Sequence, residues 1–326
     1  MRYAALTKKK LALDRLRPLP PALVKNLDDW YRVELTFTSN AIEGNTLSRR
    51  ETAVVIESGL TIGGKSLREH LEATNHAKAL DLVRTLATKT PATVTEADIL
   101  SLHQMILRGI DDPNAGRYRS VPVRIAGARV ALPNPRKVPE LMAEFMAWLS
   151  GPHDEHPVAL AGEAHFLLVS IHPFTDGNGR AARLLMNLLL LMHGYPPAII
   201  RKEDRLAYLG ALETAQLGGA REPYDKLIAK AAERSLDIYL NAAMGKDEVA
   251  PRREDRLLKI GEVAKAAGVT VPTIRHWANE GLLTVAELTA SGYQLYAPEM
   301  IARCQEIHNL KAQRLTLAEI RERLSA

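Results

Sequence analysis

The sequence predicts a mainly α-helical protein that carries a second, smaller helical module at its C-terminal end. Three observations lead there. Apolar residues recur at three- and four-residue spacing over 23–37, 68–87, 138–149, 159–171 and 181–193, which is the period of an amphipathic helix. Alternating, strand-like runs are rare; the clearest is VPVRIAGARVAL at 121–132. A charged stretch without periodicity, MGKDEVAPRRED at 244–255, interrupts the pattern and leaves a small-domain length beyond it.

The bulk properties agree with this organisation. A chain of 326 residues has room for two or three domains, and 46% hydrophobic residues can build their cores. The expected divisions are an N-terminal helical region (1–90), a core (91–245), a linker (246–256) and a C-terminal module (257–326). A net charge of +5 gives mild attraction to polyanions and does not by itself establish nucleic-acid binding. The single cysteine, Cys304, rules out an internal disulfide and fits a reducing compartment. The N-terminal MRYAALTKKK has no apolar run behind its basic residues, unlike a signal peptide. The most apolar run, 184–192, is broken by Asn187 and falls short of the roughly 20 residues of a membrane span. A cytoplasmic protein with no membrane partner is expected.

Taken in chain order, the stretch 121–132 reads as two short strands around Gly127, a hairpin with Arg124 and Arg129 beside its tip. The helix over 159–171 then delivers His172 into HPFTDGNGRAAR, residues 172–183. Glycines at 177 and 179 let the backbone bend and approach a ligand closely. Loop N–H groups and the start of the next helix form an anion site. Arg180 and Arg183, three apart, share one face of that helix and would meet the same anion. Asp176 beside an anion site calls for a cation, and Mg²⁺ held between carboxylate and phosphates supplies it. His172 is placed to take a proton from a hydroxyl attacking that phosphate. A nucleoside triphosphate is the simplest single ligand.

These residues resemble the signature of the Fic family: His172, Phe174, Asp176, Gly177, Asn178, Gly179, Arg180 and Arg183 stand at its defining positions. RLLMNLLLLMHGYPP after the motif and DDPNAGRYRSVPVRI before it extend the resemblance over roughly residues 10–245. It implies a helical Fic fold with a β-hairpin flap, and transfer of AMP from ATP to a protein hydroxyl. His172 would be the base and Asp176 the Mg²⁺ ligand. Gly177, Asn178 and Gly179 would hold the α-phosphate region, Arg180 and Arg183 the outer phosphates, and Phe174 would anchor the loop in the core. Val121, Val123, Arg124 and Ile125 would belong to the flap that aligns a target peptide through its backbone. Tyr208 lies where the family's adenine pocket usually draws a residue. His103, His165, His193 and the His153/His156 pair lack metal-ligand spacing and read as packing or surface residues.

SNAIEG, residues 39–44, is similar to the inhibitory pattern of Fic proteins. The resemblance assigns Ser39 a supporting role and Glu43 a salt bridge to Arg183. An arginine occupied by a carboxylate cannot also receive a phosphate. Within the family the same glutamate can orient a water that removes AMP, so a de-AMPylating hydrolase is an alternative on the same site.

Beyond the linker, 257–283 reads as helix, turn at Gly268 and helix, with Thr270 as N-cap, a spacing suited to a helix-turn-helix. Its continuation resembles the winged helix-turn-helix head of MerR regulators over 257–324. Thr273, Arg275, His276 and Tyr293 are the expected DNA contacts. The wing positions that usually carry arginines hold Glu287, Leu288 and Gln294, and 252–326 has 11 basic against 9 acidic residues. DNA binding is therefore expected to be weak and to need a homodimer held together by the Fic portion. The expected partners are ATP, a target protein that includes the chain itself as a candidate, and DNA. A transcription regulator whose Fic part senses nucleotide is the further alternative; an intact His172 argues against a pure sensor.

Overall fold

Local start signals set many of the helix boundaries. In the computed structural model, residues 3–88, 94–125, 127–246, 257–288, 293–313 and 315–325 are described, in two compact units, Met1–Lys246 and Asp247–Ala326. The first unit runs α1 (Ala4–Asp14), α2 (Pro21–Ile42), α3 (Arg49–Ala53) with a π-helical turn at Val54–Ser58, α4 (Leu67–Leu86), α5 (Glu96–Leu107), α6 (Val138–Leu149), α7 (Pro157–Ile171), α8 (Asn178–Met192), α9 (Arg205–Gln216) and α10 (Glu222–Ala243). Ser48, Ser66 and Thr95 open α3, α4 and α5 with reciprocal capping boxes to Glu51, Glu69 and Asp98. Pro21 and Pro157 stand in the first turns of α2 and α7, where a missing N–H costs nothing.

Helix α8 is the centre of this unit. Every residue from 181 to 190 is buried, and it packs on α4, α5 and α7. A helix apolar all round belongs inside a core, and each fully buried leucine contributes about 1.5–3 kcal/mol. Asn187, which interrupts the apolar run, is satisfied: its Oδ1 accepts the Ala198 N–H at 2.8 Å. The last two turns of α2 are also entirely buried, including the polar Thr36, Thr38, Ser39 and Asn40. The Thr36, Thr38 and Ser39 hydroxyls and the Asn40 Nδ2 there have partners, and Ser39 meets the site described below.

The expected hairpin at 121–132 is reduced to its turn. Among the described residues of that stretch there are no strands; Gly127, at φ +79°, sits in a turn closed by the Ala128 N–H on the Ile125 carbonyl at 3.2 Å. Among the described residues the first unit has no sheet for it to join, and the Arg129 N–H turns instead to Glu213 of α9, 2.8 Å away.

The second unit consists of β1 (Leu258–Lys259), α11 (Ile260–Ala267), α12 (Val271–Asn279), β2 (Glu287–Leu288), β3 (Gln294–Tyr296), α13 (Glu299–Ala312) and α14 (Leu317–Ser325). Its sheet is antiparallel in the order β1–β3–β2, with Leu258 opposite Tyr296 and Leu288 opposite Gln294. Gly268, left-handed at φ +69°, ends α11, and the Thr270 hydroxyl accepts the Thr273 N–H to open α12. Val263, Ile274, Trp277, Tyr296, Cys304, Ile307 and Ile320 form its core. Gly292 between Leu288 and Gln294, Ala126 in the 121–132 stretch, and residues 247–256 of the expected linker lie outside the described residues. Among those described, no helix is long and apolar enough to cross a membrane.

Candidate active site

The loop between α7 and α8 is stapled from within. The Asn178 side chain accepts the Phe174 N–H through Oδ1 and donates to the Phe174 carbonyl through Nδ2, both at 2.9 Å. Both ends of its amide meet Phe174, so Asn178 shapes the loop, and one N–H of its Nδ2 is left over. Phe174 is fully buried and stacks on the His103 ring at 3.6 Å between centroids. His103 Nδ1 accepts the Gly116 N–H at 3.0 Å, so its Nε2–H donates to the Asp176 carbonyl at 2.9 Å. Burial, the largest influence, pushes its pKa down to about 4 and keeps it neutral. Sequence reading had no reason to give His103 this part, because its partners lie 13 and 73 positions away.

His172 ends α7 with φ +51°, the one non-glycine among the described residues in the left-handed region. Its N–H still bonds the Leu168 carbonyl at 3.0 Å, and its Nδ1 lies 3.3 Å from the Val169 carbonyl. That contact assigns the ring proton to Nδ1 and leaves Nε2 as the acceptor. Burial dominates a pKa lowered to about 4; the Val169 contact opposes it and the Arg119 charge adds to it.

The two arginines are both buried and both face acids. Arg183, 5% exposed, donates from Nε to Ser39 Oγ and from Nη2 to the Ser39 carbonyl, each at 3.0 Å. The same Nη2 meets Glu43 Oε1 at 2.7 Å. Glu43 lies directly over Gly179: a Cβ added there would collide with Oε1 and come within 3.0 Å of Arg183 Nη1. Arg180, 1% exposed, lies 3.3 Å from Glu72 and 3.4 Å from Asp176 Oδ1, and its Nε and Nη1 have no hydrogen-bond acceptor. Asp176 also accepts the Gly177 N–H at 2.6 Å and an Arg68 Nη2–H at 2.7 Å. Its pKa is lowered: burial pushes upward, and Arg180, the Gly177 N–H and Arg68 outweigh it.

Behind Arg183 runs a directional chain of hydrogen bonds. The Tyr224 hydroxyl donates to the Gly162 carbonyl at 2.9 Å, so at 2.8 Å it accepts from His165 Nδ1–H. His165 Nε2 then accepts the Tyr208 hydroxyl proton at 2.8 Å, which turns the Tyr208 oxygen toward Arg183. Burial, ahead of the nearby arginine charges, holds His165 near pKa 3 and neutral. Tyr208, 1% exposed, thus lies behind Arg183.

Among the flap residues, Val121 and Arg124 are exposed and Val123 and Ile125 half-buried. In the second unit Arg275, His276 and Tyr293 are exposed, while Thr273 is half-buried with its hydroxyl 2.7 Å from that of Thr270.

Residues 93–190 match the Fic/DOC family and 258–326 the MerR HTH family of regulatory proteins. The chain is 36% identical over 241 residues to a protein adenylyltransferase Fic of Culex quinquefasciatus, covering 73% of this chain and 47% of that one. It is 40% identical over 208 residues to protein adenylyltransferase fic-1 of Caenorhabditis elegans, covering 62% and 40%. It therefore spans about half the length of the curated relatives it matches. Among solved structures, Fic-1 of Caenorhabditis elegans superposes with a TM-score of 0.67 at 33% identity, over 76% of this chain and 74% of that one. A Fic domain containing signaling protein of Bacteroides thetaiotaomicron gives 0.68 at 28%, over 75% and 99%.

Proposed function

Because the chain belongs to the Fic/DOC family, we propose that it is an autoinhibited protein adenylyltransferase. The observation that carries this reading is the convergence on one loop of a neutral, half-buried histidine, a glycine-lined helix start and two buried arginines, one held by Glu43. ATP binds with its phosphates at Gly177–Gly179 and the start of α8. Arg180 supplies an Nε–H that lacks an acceptor within the protein. His172 Nε2 takes the proton of a target hydroxyl as that oxygen attacks the α-phosphorus. The new O–P bond forms, the bond to the β-phosphate oxygen breaks, and pyrophosphate leaves. Asp176 suits Mg²⁺: its Oδ2 is committed only to the exposed Arg68, and a lone carboxylate sharing the ion with phosphates is the usual Mg²⁺ arrangement. When bound, the ion neutralises phosphate charge.

Glu43 is the brake. It takes Arg183 away from phosphate and stands over Gly179, where a phosphate would approach. Its charge also raises the basicity of His172, one contribution to that pKa. That closeness favours a second reading, in which Glu43 and His172 together activate a water that removes AMP. The test is labelled ATP with cell lysate, using wild type, Glu43→Gly and His172→Ala. Labelled protein that rises with Glu43→Gly and vanishes with His172→Ala supports transfer and the brake. Label that accumulates in Glu43→Gly only because removal is lost points to the hydrolase. No label in any variant overturns both.

For the second unit, the exposed Arg275 and His276 on α12 support weak DNA contact by a dimer. A gel shift that needs 251–326 and Arg275 supports it. No shift at low salt leaves the unit as a protein-binding module.

A further inference from the structure

Arg119 stands just ahead of the flap and is 3% exposed. A buried guanidinium ordinarily faces a carboxylate. Among the described residues none pairs with this one, and its hydrogen bonds there all end on main-chain carbonyls. Nε donates to the His172 carbonyl at 2.8 Å, Nη2 to the Pro133 carbonyl at 2.7 Å and Nη1 to the Val121 carbonyl at 3.3 Å. Its own N–H reaches the Pro173 carbonyl at 2.9 Å. Val121 and Pro133 are the two feet of the flap. One planar fork therefore holds both feet and the main chain of the catalytic histidine. That main chain needs holding, because a left-handed non-glycine residue costs about 1–3 kcal/mol unless its surroundings fix it.

We propose that Arg119 is a positioning residue that sets the register between the target flap and His172. A peptide laid along residues 121–125 is then delivered at a fixed height above Nε2. The inference rests on the reading of His172 as the base and of the flap as the target guide. The fork is the essential part: a lysine carries the charge but cannot span three carbonyls in one plane. A displacement near 1 Å at the reacting groups costs on the order of 10²-fold in rate. Nucleotide contacts do not pass through Arg119, so ATP affinity is not expected to change.

The test uses the full chain with Arg119→Lys and Arg119→Gln, each also in a Glu43→Gly background. Hydrogen exchange by mass spectrometry follows segments 120–134 and 168–177. Binding of a fluorescent ATP analogue with Mg²⁺ and incorporation of labelled AMP into lysate proteins are measured alongside. Faster exchange in both segments, nucleotide affinity within about twofold and label reduced at least about tenfold support the proposal. Unchanged exchange in either segment, or a loosened flap with undiminished transfer, overturns it. Absence of label in Glu43→Gly itself would sink the transferase reading, while the exchange data still decide the clamp. If both Arg119 variants fail to fold, native-state exchange of the wild type gives the answer. The two segments should open as one unit with a single free energy, and separate openings overturn the proposal.

Discussion

In its proposed role as base, His172 needs no deprotonation at neutral pH, since burial leaves its pKa at about 4. The base is fully available above that value, so the rate of AMP transfer should not lose this group until the pH falls toward 4. An acid limb centred near 6.5 would contradict the burial argument. His172→Ala should lower transfer by about 10²–10⁴-fold with ATP affinity intact, as read by titration with a fluorescent analogue. Tyr208→Phe keeps the ring and removes only the oxygen that backs Arg183. In the Glu43→Gly background, where Arg183 is free to meet phosphate, it should weaken ATP binding roughly tenfold, about 1.4 kcal/mol, near the low end for a hydrogen bond to a charged group. Unchanged binding would reduce the chain through His165 to core packing. The identities at 172–183 were legible because each side-chain type answers one need of phosphate chemistry. The contacts that Asn178, Tyr208, His103 and Arg119 make within the fold were not, because each depends on a partner fixed in three dimensions and not by the local pattern.

At the scale of elements, the proposed brake is a helix end, and it is held by a second helix. Thr46 donates through both its N–H and its hydroxyl to Glu69 of α4, at 2.9 and 2.6 Å, and Asn45 donates to Glu72 at 2.9 Å. Arg205 of α9 caps the last turn of α2 by donating to the Ile42 carbonyl at 2.7 Å. Glu43→Gly should raise AMP incorporation and tighten ATP binding, because Arg183 is released; equal incorporation in wild type and variant would contradict the brake. Glu69→Ala should give a smaller rise by loosening the turn that carries Glu43, and an unchanged basal rate would show that α2 holds its end without α4. The periodicity of 23–37 found this helix but stopped five residues short of its end. Thr38, Ser39 and Asn40 are polar, and a pattern that looks for apolar residues cannot see polar ones buried by their partners. The stretch 121–132 holds no strands among its described residues for a different reason: main-chain groups at its ends bond outside a β ladder, the Val121 and Pro133 carbonyls to Arg119 and the Arg129 N–H to Glu213.

At the scale of the whole molecule, four histidines with strongly lowered pKa values weigh on the response to acid. His76 and His165 are held near pKa 3, His103 and His172 near 4, burial being the first cause in each. An unfolded chain takes up these protons near pH 6.5 and the folded one does not. Stability is therefore greatest above 6.5 and falls as the pH drops below it, by roughly 1 kcal/mol per histidine at pH 5.5. Thermal melting at pH 7.5 and 5.5 checks the sign; a higher melting temperature at 5.5 would refute it. The division into Met1–Lys246 and Asp247–Ala326 was legible as a break in periodicity at 244–255. Its two cores were not assignable residue by residue, because which apolar faces meet is decided in three dimensions. Those cores share no thiol. Cys304, the chain's one cysteine, is wholly enclosed in the second core, and burial lifts its pKa to about 11. A disulfide reagent such as Ellman's can then react only when that core opens. The colour it releases becomes a clock for the C-terminal unit alone, and any DNA that binds the folded unit should slow that clock.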